Sequence, residues 1–241
     1  MFCFSFKVLS PQVYQNKASF VVKGLFTIIH QIRNRDMEQL VRQLKTMGVL
    51  KTPHIINAFL ASDRKFFVSP QHAEDAYLDT ALPIGRGQTI SQPLTVAFMM
   101  ELLQPRAGQK ILDIGFGSGW TTAILAHIAG EKGQVYAFEI DSEIFEFGKK
   151  NLQNFFYKNI RLMRGSGLAG LPQEAPFDRI LVSAASESLP SSLIAQTAVS
   201  GRLVIPIGTP MDSALTLVER VSDNETRQKV FPGFAFVPLT E

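Results

Sequence analysis

The segment Ile111-Leu112-Asp113-Ile114-Gly115-Phe116-Gly117-Ser118-Gly119 decides the fold. An apolar run with strand composition enters three glycines at alternate positions, and a helical pattern, Thr121 to Ala129, follows. Glycine suits so tight a turn because the chain visits positive φ there and a side chain would block a ligand from the backbone. The helix N-terminus beyond it offers free N–H groups. Dinucleotide folds use G-x-G-x-x-G and rest a pyrophosphate on that N-terminus; here the spacing is G-x-G-x-G. Asp113, two residues before Gly115, would repel a pyrophosphate and suits a ligand with a cationic head. Glu139 ends the next strand, 20 residues after Gly119, where an acid can accept hydrogen bonds from ribose hydroxyls. A ribose-bearing ligand without a diphosphate is indicated, and S-adenosylmethionine fits. The competing reading is a tight βα turn with no ligand.

The pattern repeats outward from this segment. Strand Lys110–Ile114 and helix Thr121–Ala129 are followed by strand Val135–Ile140, helix Ser142–Phe155 and strand Ile160–Met163. Strand Arg179–Ala184, helix Ser191–Ala198 and strand Leu203–Ile207 come next, with Ala214–Val221 and Phe231–Pro238 as a closing antiparallel pair. Alternating βα units of this length need crossover connections, hence a mostly parallel sheet with helices on both faces. Upstream, residues 37–60 read as two short helices broken near Gly48 and Pro53, the first with Leu40, Val41, Leu44 and Met47 on one face. Residues 61–90, with Pro70, Pro83, Gly85 and Gly87, read as mostly loop. Ser91 has the position of a helix N-cap, with Pro93 in the first turn and Leu94, Ala97, Phe98, Glu101 and Leu102 following at helical spacing.

Composition narrows the class. The chain has 241 residues, 46% hydrophobic and 19% charged, which excludes a disordered polypeptide. No run of 18 apolar residues occurs, which excludes a membrane-spanning helix. Cys3 is the single cysteine and the four histidines (His30, His54, His72, His127) are scattered, so neither a disulfide nor a metal site is expected. Net charge is +3, but five basic residues and one acid precede Met37, and the remaining 19 basic and 20 acidic residues sum to −1. The near-neutral body gives no case for nucleic-acid binding. The basic leader resembles a transit peptide in lacking acids. It is a poor secretory signal, because lysines interrupt its apolar stretches. The favoured reading puts the functional start at Met37 and makes the leader an upstream extension or a loosely docked helix.

One further run names a family. Leu82-Pro83-Ile84-Gly85-Arg86-Gly87-Gln88-Thr89-Ile90-Ser91-Gln92-Pro93, followed by the glycine segment, resembles the protein-L-isoaspartate O-methyltransferases. The resemblance runs in order from about Met37 to the C-terminus. It takes in Arg64 with Phe67-Val68, Ala76-Tyr77, Pro176 to Ile180, Ser183-Ala184-Ala185, Gly201 through Gly208, and Phe236-Val237-Pro238-Leu239. It implies a Rossmann-like class I methyltransferase fold, with residues 37–241 as one methyltransferase domain: 37–105 a helical, substrate-side segment and 106–241 the cofactor-binding core. Residues 1–36 then form the basic N-terminal extension.

The resemblance also implies a chemistry. Ageing asparagine and aspartate pass through a succinimide to L-isoaspartate, leaving a free α-carboxylate beside a kinked backbone. Members of the family methylate that carboxylate from S-adenosylmethionine, and the ester re-closes to the succinimide, whose hydrolysis restores some aspartate. A carboxylate is ionised at neutral pH and is already the nucleophile, so no general base is needed; positioning in a water-poor pocket suffices. Ser91 corresponds to the family's active-site serine, and its alternative role is simply to cap the helix begun by Pro93. Cofactor contacts are expected from Asp113, Gly115, Gly117, Gly119, Glu139 and Ser166, with Leu82–Gly87 as a wall of the peptide cleft. The family's Gly-Asp-Gly after the third strand is Gly165-Ser166-Gly167 here, which leaves an adenine amine a hydrogen bond without charge assistance. Phe116 and Trp120 also depart from the family pattern, and Phe155-Phe156-Tyr157 is unusually aromatic. The expected partners are isoaspartyl-containing proteins and peptides, with no nucleic acid and no membrane, for a monomer in the cytoplasm. Two alternatives stand beside this: a methyltransferase for another substrate, and a non-catalytic relative.

Overall fold

The computed structural model describes residues 37–240; the leader, with Cys3 and His30, lies outside the described residues. Seven strands form one sheet: β3 (Lys110–Ile114), β4 (Gln134–Glu139), β5 (Ile160–Arg164), β6 (Phe177–Val182), β7 (Thr197–Thr209), β8 (Asp212–Arg220) and β9 (Thr226–Phe234), in the order β5-β4-β3-β6-β7-β8-β9. The first five are parallel, and β8 and β9 add an antiparallel meander at one edge. Strand β3 is central and its residues are buried from Ile111 to Ile114, as expected of a parallel strand covered on both faces.

The covering is unequal. One face carries α1 (37–46), α2 (Pro53–Ala61), α3 (Pro93–Leu103), α4 (Trp120–Ala129) and α5 (Ser142–Leu152), whose Leu44, Phe59, Met100, Ile124 and Ile144 pack with Ile111, Val135, Leu181 and Val204 of the sheet. The other face carries α6 (Ser191–Gln196), with Leu193 against Ile180, Leu203 and Ile205.

Several expectations are corrected. Residues 61–90 are not simply loop: Leu82–Gly85 (β1) and Gln88–Ile90 (β2) form a separate two-stranded hairpin. On α1, Met37 joins Leu40, Val41 and Leu44 in the core, while Met47 is 50% exposed. Helix α3 buries Val96, Met99, Met100 and Leu103 more deeply than the stripe read from Leu94, Phe98 and Glu101. Its N-cap is Gln92, not Ser91; the N–H of Leu94 is capped instead by Oδ1 of Asp79, at 2.8 Å.

Candidate active site

The strand order reverses between β3 and β6, and in open α/β sheets such a switch point opens a crevice at the carboxyl ends of the strands. A cleft lies there. It is lined by the glycine loop after β3, Glu139 and Ile140 after β4, Gly165–Gly167 after β5 and Ser183-Ala184 after β6. Gln88–Ser91 and Val237–Thr240 form its remaining walls.

The glycine loop holds φ values of +78°, +52° and +90° at Gly115, Gly117 and Gly119. Gly115 and Gly117 line the cleft. Gly119 and Asp113 stand behind the cleft wall rather than on it; Gly119 precedes α4, and a Cβ there would stand 2.9 Å from Cγ of Leu152 and 3.1 Å from the carbonyl oxygen of Gly148. Its task is to let α5 approach the loop.

Glu139 is 7% exposed, so it is not a solvated acid. Its Oε2 accepts from the N–H of Gly117 at 3.0 Å, and its Oε1 from those of Ile140 at 2.9 Å and Asp141 at 3.1 Å. A carboxylate has about four lone-pair sites, which leaves room for a hydroxyl donor from the cleft. Asp113 is fully buried behind the loop. Its Oδ2 accepts from the hydroxyls of Thr122 (2.7 Å) and Thr121 (3.1 Å), whereas Oδ1 has no partner among the described residues. Burial pushes its carboxyl up to about 6, against the pull of the two threonine hydroxyls, and the nearby Glu139 charge adds to the rise.

Ser91 lines the cleft half-buried, and its hydroxyl makes no hydrogen bond to a described residue now that capping falls to Asp79. Ser166 also lines the cleft, donating to the carbonyl of Thr240 at 3.2 Å and accepting from the N–H of Leu168 at 3.3 Å. Leu82–Gly87, expected as a wall of the peptide cleft, lies outside this cavity, which the next residues, Gln88–Ser91, line. Leu82 and Ile84 are buried beneath the hairpin, and Arg86 at its tip pairs with Asp141 at 3.2 Å. Asp141 caps α5, and the N–H groups of Ile144 and Glu143, with Arg86, hold its carboxyl below the usual range. Trp120 is a core residue with an edge on the cleft: 1% exposed, donating from Nε1 to the carbonyl of Ser62 at 2.8 Å. The aromatic run divides, with Phe155 stacked on Phe67 at 5.1 Å and Phe156 98% exposed.

Sequence reading missed two features. Ser183 places a buried hydroxyl on the cleft wall with no partner among the described residues; its position just past β6, beside β3, is the signal that strand order supplies. The closing segment Val237–Thr240 is threaded back over the cleft by hydrogen bonds from Ala185 N to the Val237 carbonyl (2.8 Å) and from Leu239 N to the Ala185 carbonyl (2.7 Å).

Known proteins converge on one family. The family model described as protein-L-isoaspartate(D-aspartate) O-methyltransferase matches residues 34–241. A protein-L-isoaspartate O-methyltransferase from Methanopyrus kandleri is 41% identical over 210 residues, covering 87% of this chain and 93% of its own. A solved protein-L-isoaspartate O-methyltransferase superposes with a TM-score of 0.76 at 28% identity, over 85% of this chain and 66% of its own. A Plasmodium falciparum protein assigned to the same enzyme class, crystallised with S-adenosyl-L-homocysteine, shares the fold with a TM-score of 0.74 at 23% identity, over 84% of this chain and 97% of its own.

Proposed function

This chain belongs to the protein-L-isoaspartate(D-aspartate) O-methyltransferase family, and from that premise we propose that it methylates the free α-carboxylate of L-isoaspartyl residues in damaged proteins, using S-adenosylmethionine. The observation that carries this reading is the Gln88–Ser91 wall, from the run most specific to the family, set across the cleft that the glycine loop floors.

The residues fit the methyl donor. The orphaned Oδ1 of Asp113 is a buried acceptor suited to the donor's cationic amino-acid end. Glu139 retains lone pairs for ribose hydroxyls, the backbone at Gly115 and Gly117 permits close approach, and the Ser166 hydroxyl, already donating to Thr240, keeps lone-pair capacity to accept from an adenine amine. When bound, S-adenosylmethionine supplies an electrophilic methyl group. Ser91 would hold the substrate carboxylate, which is ionised at neutral pH and needs no base. The apolar Ile90, Val96 and Phe138 around the cleft exclude water, which favours transfer by positioning.

Residues 37–241 are proposed as the working unit, acting as a monomer on isoaspartyl proteins and peptides rather than on nucleic acid. Their near-neutral charge supports this. No helix among the described residues is long and apolar enough to cross a membrane; a cytoplasmic site of action suits a chain with one cysteine.

The test is methyl transfer from labelled S-adenosylmethionine to a peptide with one L-isoaspartate, beside the same peptide with aspartate. Turnover is expected on the isoaspartyl peptide alone, and Ser91→Ala should lower kcat/KM by roughly 10- to 100-fold, the loss of one hydrogen bond to a charged group. Cofactor binding without methylation of either peptide would overturn the substrate assignment and leave the fold intact.

A further inference from the structure

Arg64 is the fully buried cation of this chain's substrate side, with 0% exposure. Its Nη1 donates to the carbonyls of Ala76 (2.8 Å) and Leu78 (3.4 Å), and its Nη2 to those of Thr80 (2.9 Å) and Ser91 (3.1 Å). Thr80 and Ser91 flank the β1–β2 hairpin, whose base pair is Leu82 with Ile90. A single nitrogen therefore closes both legs of the hairpin. The guanidinium also lies 5.3 Å from the ring centroid of Trp120, and it makes no ion pair within 4.0 Å to a described carboxylate.

We propose that Arg64 is the positioning residue for Ser91: its forked guanidinium staples the hairpin base and thereby sets where the Gln88–Ser91 wall stands in the cleft. This rests on the methyltransferase reading above. A two-stranded hairpin is marginal in isolation, and this one is hydrogen-bonded to no strand of the main sheet. Its apolar Leu82, Ile84 and Ile90 pack into the core without fixing the ends of its legs, and its other polar ties, Arg86 to Asp141 and Glu143 and Ser69 to the carbonyl of Pro83, are exposed and correspondingly weak. On the far side of Ser91, Asp79 accepts from Leu94 N at 2.8 Å and from Nε2 of Gln92 at 3.1 Å, fixing the first turn of α3. Ser91 is thus held between a cation gripping its carbonyl and an anion gripping the residues after it. Burying a guanidinium without a carboxylate in contact is costly, and an apolar side chain of similar volume would serve stability as well. What the apolar side chain lacks is a rigid fork reaching four carbonyls at once; lysine, a point charge with three donors, lacks it too.

Arg64→Lys tests this with three readouts. Amide hydrogen exchange over residues 82–92 should accelerate roughly tenfold or more while β3 and β4 keep their protection. The isoaspartyl-peptide KM should rise roughly fivefold and kcat/KM fall about 20-fold. Affinity for S-adenosyl-L-homocysteine, followed by the emission of Trp120, should stay within about twofold, because the contacts proposed for that ligand come from the glycine loop, Glu139 and Ser166 and not from the hairpin. Faster exchange throughout the chain with a parallel loss of cofactor affinity would mean that Arg64 merely holds the fold, and would overturn the proposal. So would values all within twofold of the parent. If the variant does not fold, the Nη–H resonances of Arg64 in the ¹⁵N-labelled parent decide. Resolved, slowly exchanging signals that move when isoaspartyl peptide is added are expected, and one rapidly averaged signal overturns the proposal. A parent chain that never methylates the peptide counts against the substrate reading alone, since hairpin exchange is read without turnover.

Discussion

Asp113 carries its carboxylate where ionisation is unfavourable, and the consequence can be signed. Its folded pKa is raised from 3.8 to about 6, chiefly by burial, so the folded chain keeps a proton that the unfolded chain releases. This group's stabilising effect is full below about pH 4, declines as pH rises to about 6, and leaves an ionised form costing on the order of 3 kcal/mol above that. In ligand-free protein, Asp113→Asn should flatten the denaturation-derived stability profile between about pH 4 and 6 without lowering stability at pH 7. The same carboxylate should favour a cationic ligand only when ionised. S-adenosyl-L-homocysteine affinity should therefore climb between about pH 5 and 7 in the parent, and be at least roughly tenfold weaker and flat in the variant. Unchanged affinity by calorimetry would remove Asp113 from the ligand's cationic end.

Helix α5 presses its Gly148 onto the glycine loop, and the contact ties a helix to the geometry of the cleft. A Cβ on Gly148 would collide with the carbonyl oxygen of Gly117 and stand 2.6 Å from Cε2 of Phe116. Gly117 is also the residue whose N–H holds Glu139. Gly148→Ala should therefore cost about 1–3 kcal/mol by overpacking, a fall in Tm of roughly 2–10 °C. Cofactor affinity should drop several-fold with it; a variant that melts with the parent would show that the helix yields freely. Apolar periodicity marks the cores of elements more sharply than their ends. The apolar pattern carries α5 to Phe155, but the helix stops at Leu152 because Phe155 leaves the axis to stack on Phe67 and Tyr157. Strand β9 begins at Thr226, well before the Phe231 that its apolar residues suggest, because a polar edge strand leaves little hydropathy signal.

The described core begins at Met37, 1% exposed and packed with Leu40 and Leu44. A chain starting at Met37 should accordingly keep its Tm within about 2 °C, and its cofactor affinity and isoaspartyl turnover within about twofold, of the full chain. A larger loss in any of the three would make residues 1–36 part of the working protein. By itself the sequence determined the alternating βα order, the central strand Lys110–Ile114, the glycine turn and the acid that closes the second strand. Those follow from apolar periodicity and from the backbone freedom of glycine, which are properties of neighbours along the chain. Only the tertiary structure decided that Gly119 serves helix packing and that Ser91 is released from capping by Asp79. It alone brought Ser183 and Val237–Thr240 to the same cleft, and joined Arg64 to carbonyls 12 to 27 residues away. Those contacts lie between segments whose spacing in sequence carries no period, so they become visible only once sheet order and burial bring the segments together.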